Sequence, residues 1–392
     1  MVFSVPGRGG PDTGYRQSLT VPERGDNEAI MSRAHNFSAG PSALPVSVLT
    51  ELAEELPELG GSGMSVLEMS HRSGPYEAVH NDTLDRLRRL SAAPDEVDIL
   101  LVQGGATLQF AMVPYNLLPA DGTAAYAMTG SWAAKAEADA ARIGRVHEAW
   151  VRPDGDPLRM PHRGELDVPA GAAYLHATSN ETIEGIRYPD LSVLADAGTT
   201  VVTDMSSDIF TRPIDWDVVD VVYAGSQKNL GPAGVTVVWV KRELLDRVPD
   251  SVPTYLRYRT HAEGNSLANT PPVFAIWAMG KTLAWIEASG GVAAMESRAA
   301  KRSGRVYEVI DRSGGFYASP VLPEHRSLTN LVFRLPDDET QAAFLAGAEA
   351  EGMSNLKGHR SVGGVRASIY NALDDGSVEA LVSYMERFAG DR

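Results

Sequence analysis

From residue 34 onward, short apolar runs alternate with stretches whose apolar residues recur at helical spacing. A helix is predicted to begin near Pro45, with apolar residues at positions 46, 48, 49, 52, 53 and 56. "DEVDILLVQGG" reads as a strand running into a glycine turn, "ATLQFAMVPYNLL" as a helix, and "AAYAMTGSWAAKAEADAARIG" as a strand followed by a helix. "AAYLHATSNETIEG", "GTTVVTDMSSD" and "VVDVVYAGSQKN" add three strands whose C-terminal ends open into polar loops. This alternation predicts an α/β fold with a largely parallel sheet and helices on both faces. Ligands of such sheets sit at the C-terminal ends of the strands. "GVTVVWVK" follows its predecessor too closely for a crossover helix, so it is expected to return antiparallel.

After "NTPPVFAIWAMGKTLAWIEASGG" the pattern changes to a helix and then to separate strands, "LTNLVFRL" and "VRASIY". The expected organisation is an N-terminal extension over 1–33, a large domain over 34–283 whose first residues can pack with the small domain, and a smaller C-terminal α+β domain over 284–392. Trp277, Met279 and Trp285 in the linking helix read as core packing. Residues 1–30 carry Gly, Pro and mixed charge without periodicity, precede Met31 as an alternative start, and read as disordered.

Composition narrows the chemistry. At 392 residues and 43% hydrophobic, the chain can bury a substantial core. With no cysteine, it forms no disulfides, thiolate metal sites or iron–sulfur clusters and has no cysteine nucleophile. The formal net charge of -16 argues against a nucleic-acid partner, and an anionic ligand requires locally gathered arginines. No apolar segment is long enough to span a bilayer and the N-terminus lacks the design of a secretory signal, so a cytoplasmic protein without a membrane partner is expected.

One stretch, "VVYAGSQKNLGPAGVTVVWV", delivers Lys228 to a glycine-edged turn at the end of a strand. Asp204 ends the preceding strand, so an acid and an amine are expected at the same rim of the sheet. Pyridoxal phosphate needs this pair: an amine to form a Schiff base with its aldehyde and a carboxylate to keep its ring nitrogen protonated. It also needs a phosphate cup. "QGGATLQF" is a strand–glycine–helix junction where backbone N–H groups, the helix dipole and Thr107 can hold a dianion, without the spacing of a dinucleotide or P-loop motif. Trp132 in "TGSWAAK" opens another helix and can lie on the ring face.

Together "NFSAGPSALP", "SHRS", "QGGATLQF", "GSWAAKA", "NETIEG", "DMSSDIFTRPID", "AGSQKNLGPAG", "NTPP" and "GHRSVGGVRASIYNA" resemble the phosphoserine aminotransferase family, class V within fold type I of the pyridoxal-phosphate enzymes. The resemblance runs from about residue 34 to the C-terminus, with the blocks in family order. It implies a mixed, mostly parallel seven-stranded sheet in the large domain. It implies that Lys228 carries the cofactor and shuttles a proton, Asp204 pairs with the pyridinium nitrogen, Thr182 bonds the ring hydroxyl and Trp132 stacks on the ring. Ala106, Thr107 and Gln227 would hold the cofactor phosphate, with Asn269 and Thr270 reaching in from a second subunit of a homodimer. Some family members have Gly-Arg where this chain has Ala106-Thr107, so a charged phosphate contact is absent. A position often serine in the family is Ala39 here.

A phosphorylated keto acid presents two anionic groups, which arginine's planar fork binds better than lysine's point charge. The resemblance assigns Arg366 to the α-carboxylate, and Arg72 from the partner subunit, His359 and Arg360 to the phosphate, with His71 in support. The implied reaction transfers the amino group between L-glutamate and 3-phosphohydroxypyruvate, giving O-phospho-L-serine and 2-oxoglutarate in serine biosynthesis. The family often acts also on 4-phosphooxy-L-threonine, in pyridoxine biosynthesis. Two competing readings are a glyoxylate-type aminotransferase, which would leave the "GHR" cations without a phosphate, and a non-catalytic binding protein of the same fold. A cysteine desulfurase is removed by the missing thiol.

Overall fold

The computed structural model describes residues 33–390, and the expected disorder of residues 1–30 lies outside the described residues. Ala34–Arg392 form one compact unit. In chain order its elements are β1 (His35–Asn36), α1 (Val46–Glu55), α2 (Gly74–Ser91), β2 (Val97–Gln103), α3 (Ala106–Leu117), β3 (Thr123–Met128), α4 (Ser131–Ala140), β4 (Arg145–Val151), β5 (Leu175–Thr178), β6 (Asn180–Glu181), β7 (Ile186–Arg187), β8 (Val201–Asp204), β9 (Val221–Gly225) and β10 (Val235–Lys241). Then follow α5 (Tyr258–Glu263), α6 (Val273–Ala288), α7 (Gly291–Arg312), β11 (Asn330–Phe333), α8 (Asp338–Ala350), β12 (Met353–Ser354), β13 (Val365–Ser368) and α9 (Asp375–Gly390).

Seven strands form the main sheet in the order β2-β10-β9-β8-β5-β3-β4. β9, β8, β5, β3 and β4 run parallel. β10 is antiparallel to both its neighbours, as its short connection to β9 requires. The two faces are built by the period of two along each strand. Ala224, Val237 and Trp239 point into one core with Ile276, Met279 and Leu283 of α6, while Val221, Tyr223 and Val238 point into another with Phe110 and Val113 of α3. Trp277 and Met279 are buried, as core packing predicts.

A third apolar cluster draws on residues 306–388 plus Phe37, and β1 pairs with β12. α7 spans two cores: its Met295 packs in the sheet cluster and its Val306 in the C-terminal one. The boundary at 283/284 remains our proposal; it falls within α6, and Ile286 and Met295 beyond it still pack in the sheet cluster.

The C-terminal ends of β2, β3, β5, β8 and β9 lie at one rim, because parallel strands in register finish together. The next residues of the chain, the loops 104–105, 129–130, 179–182, 205–208 and 226–229, therefore converge.

Candidate active site

Register places the acid and the amine. Asp204 ends β8 opposite Thr178 of β5 and Tyr223 of β9, and Lys228 follows the end of β9 by three residues. Lys228 is held within a buried turn: Ser42 donates from its N–H to the Gln227 carbonyl at 2.9 Å and from its hydroxyl to the Lys228 carbonyl. A Cβ at Gly225 would lie 2.6 Å from Gln227 Oε1, so the glycine leaves room for that side chain to fold back. Asn229 Oδ1 accepts the N–H of Asn371 at 3.0 Å, tying the turn to the C-terminal residues.

A cavity with about 460 Å³ of empty space is lined by Ala106, Thr107, Trp132, Thr182, Asp204, Gln227 and Lys228, all singled out from the sequence. Lys228 is 9% exposed and its Nζ donates to Thr182 Oγ1 at 2.9 Å. Burial pushes its pKa down to about 8, opposed by the negative charges of Asp204 and Glu181 and assisted by Arg366. Asp204 is pushed up by burial and pulled back by Lys228, and its Oδ1 accepts the Ser206 N–H at 2.9 Å. The Trp132 ring centroid stands 5.7 Å from Lys228 Nζ, and its Nε1 is buried without a partner among the described residues.

The cations expected to meet the substrate lie in the C-terminal part of the chain. Arg366 on β13 donates from Nη1 to the Thr182 carbonyl at 3.4 Å, and its buried Nε has no partner among the described residues. Its guanidinium is depressed by burial. His359 is lowered by desolvation and by the charges of Arg366, Lys135 and Arg360. Arg72, Asn269, Thr270, His359, Arg360 and Arg366, all singled out from the sequence, do not line this cavity. Arg72 is exposed, and the Thr270 carbonyl accepts from Gln103 Nε2 at 2.6 Å.

The residues fit pyridoxal phosphate. A buried amine and a buried carboxylate stand at adjacent strand ends, and α3 begins after Gly104 and Gly105 with no side-chain cap, leaving its first N–H groups for an anion. The buried Thr178 hydroxyl in the lining also lacks a partner among the described residues. Sequence reading missed Thr178, Asn180, Ser206 and Ser207 in the lining, and the two buried acids Glu181 and Glu184 beside it. The acids stood in the quoted "NETIEG", read as the polar loop that a strand opens into, where two carboxylates carry no signal of burial.

The sequence pattern of the class-V aminotransferases matches residues 34–381. The chain is 48% identical over 358 residues to a phosphoserine aminotransferase of Geobacillus kaustophilus, covering 91% of this chain and 99% of that one. It superposes on the solved phosphoserine aminotransferase of Bacillus circulans subsp. alkalophilus with a TM-score of 0.89 at 47% identity, covering 92% and 99% of the two chains. A pyridoxal-phosphate-bound phosphoserine aminotransferase of Trichomonas vaginalis matches with a TM-score of 0.86 at 37% identity, covering 90% and 100%.

Proposed function

We propose, from the premise that this chain belongs to the class-V aminotransferase family, that it moves the amino group of L-glutamate to 3-phosphohydroxypyruvate, giving 2-oxoglutarate and O-phospho-L-serine. Relatives of that activity match it at nearly full length. The observation that carries the reading is the Lys228 amine, held by Thr182 in a cavity that Asp204 shares. Pyridoxal phosphate is the cofactor; when bound it supplies an aldehyde that takes up the amino group and a protonated ring that draws electrons from the substrate's α-carbon.

The chain's residues do the rest. Asp204 would pair with the cofactor's ring nitrogen and favour its protonation. Lys228, with its pKa lowered to about 8 by burial, has enough neutral amine near physiological pH to take a proton from the α-carbon and return it. Thr182 orients that amine, and Trp132, whose ring centroid lies 5.7 Å from Nζ, would cover the cofactor ring. The N–H groups of Ala106 and Thr107, with Gln227, hold the cofactor phosphate. Arg366 binds the substrate α-carboxylate, and His359 and Arg360 bind its phosphate.

A homodimer with shared sites is part of the proposal, with Arg72, Asn269 and Thr270 contributed by the partner. One observation supports it: Val46, Leu49, Met64, Leu67 and Phe274 leave apolar side chains exposed around the cluster of Val48, Val66 and Trp277. A cytoplasmic location belongs to the same reading, supported by substrates that are charged metabolites. Among the described residues no helix is long and apolar enough to cross a membrane.

The test is an assay of purified protein with glutamate and 3-phosphohydroxypyruvate while the visible spectrum of the cofactor is followed. Ping-pong kinetics are expected, because the amino group stays with the protein between half-reactions. Lys228→Ala is expected to lose transamination by at least about 100-fold. Equal use of a non-phosphorylated keto acid, or unchanged turnover in the variant, overturns the reading.

A further inference from the structure

Two buried acids beside the cavity take no part in these steps. Glu181 is 0% exposed; its Oε2 accepts the N–H of Trp132 at 3.0 Å, and its Oε1 accepts the N–H of Ala133 at 3.0 Å and the Thr129 hydroxyl at 3.2 Å. Glu184 Oε1 accepts the N–H of Ser131 at 2.9 Å and its hydroxyl at 2.5 Å. The first N–H groups of α4 are thus bound by carboxyl groups from the end of β6 and the turn that follows it, while Gly130 at the capping position has no side chain to offer. Gly130 is needed there. A Cβ would lie 2.7 Å from Glu181 Cδ and 2.7 Å from Glu184 Oε2, so the α-carbon passes between the two acids.

An ordinary helix start is capped by one exposed Ser, Thr, Asp or Asn, and burying two carboxyl groups for the purpose is expensive. Burial and Glu184 push the Glu181 carboxyl up to about 8, against the N–H groups of Ala133 and Trp132 that pull it down. What this arrangement secures is the relation between two things at the cavity: the Trp132 indole on α4, and Thr182, which follows Glu181 in the chain and holds Lys228 Nζ.

We propose that Glu181 is a positioning residue: with Glu184 it ties the first turn of α4 to the turn carrying Thr182, and so fixes where the Trp132 indole stands over the cavity. The inference deepens the proposed function and rests on Trp132 covering the cofactor ring. It is tested by a double-mutant cycle on the dissociation constant of pyridoxal phosphate, measured by titrating cofactor-stripped protein and following its absorbance.

Glu181→Ala is expected to weaken binding about tenfold, and Glu181→Gln, which keeps the shape and one acceptor oxygen, about threefold. In a Trp132→Ala background both losses are expected to shrink to within about twofold, because no indole remains to be positioned. Losses that multiply in the double variants overturn the inference. Should Glu181→Ala not fold, Gly130→Ala pushes on the same acids from the other side. Its loss of affinity is expected to vanish equally in the Trp132→Ala background, and unchanged affinity overturns the proposal. A wild-type protein that takes up no pyridoxal phosphate overturns the functional reading and the inference with it; a wild type that binds, with multiplying losses, overturns the inference alone.

Discussion

At the scale of the residue, Lys228 is where burial and charge compete. Its pKa of about 8 in the cofactor-free protein sits below the ordinary 10.5 because desolvation outweighs the pull of Asp204 and Glu181. Condensation with an aldehyde needs the neutral amine, so the rate of pyridoxal phosphate uptake is expected to rise with pH through about 8. Asp204 raises that pKa, and Asp204→Asn should move the midpoint lower; stopped-flow absorbance against pH checks both. The same shift has a stability consequence. Between about pH 8 and the unfolded value, the unfolded chain holds a proton that the folded one lacks, so stability rises with pH across that window. Lys228→Met removes the buried charge and is expected to make cofactor-free protein more stable at pH 7 by about 1–3 kcal/mol, discounting the lost bond to Thr182, with the gap closing above pH ~10. Urea unfolding at the two pH values measures it.

At the scale of the element, what the pattern of apolar residues revealed and what it hid have one cause. The central strands announce themselves because both faces are buried, as in Val221–Gly225 and Val235–Lys241. The edge strand β4, Arg145–Val151, buries only Ala149 and Trp150 fully and gave no such signal. The helix α2 was hidden differently. Its inward stripe is Tyr76, His80, Thr83, Leu87 and Ser91, correctly spaced for a helix but written mostly in polar side chains. Elements also meet at single atoms. Gly185, with φ +73°, ends the turn carrying Thr182, and a Cβ there would lie 2.7 Å from Val332 Cγ2 and 2.9 Å from the Asn330 carbonyl. Gly185→Ala is expected to lower the stability by about 1–3 kcal/mol, read from the shift in denaturation midpoint, since both the left-handed backbone and the packing against β11 oppose a side chain.

At the scale of the whole molecule, a chain with net charge -16 is proposed to bind its anionic substrate through Arg366, Arg360 and His359, with Arg72 added from the partner in the proposed dimer. Complementation tests the sharing. Lys228→Ala and Arg72→Ala proteins, each expected to be impaired, should regain roughly a quarter of the wild-type sites when mixed and allowed to exchange, because half the dimers are hybrids with one intact site. No recovery despite exchange, followed by sedimentation, removes the shared site. The sequence by itself determined the α/β alternation, the antiparallel return of β10, and the lysine and acid at successive strand ends. Those depend on local periodicity and on the rule that parallel strands finish at one rim. Only the tertiary structure decided which side chains line the cavity together, that Glu181 and Glu184 bind the start of α4, and that Arg366 reaches the Thr182 carbonyl. The physical reason is distance along the chain. Contacts between residues 49 to 184 positions apart depend on how separate elements pack, and no local pattern of apolar and polar positions encodes that.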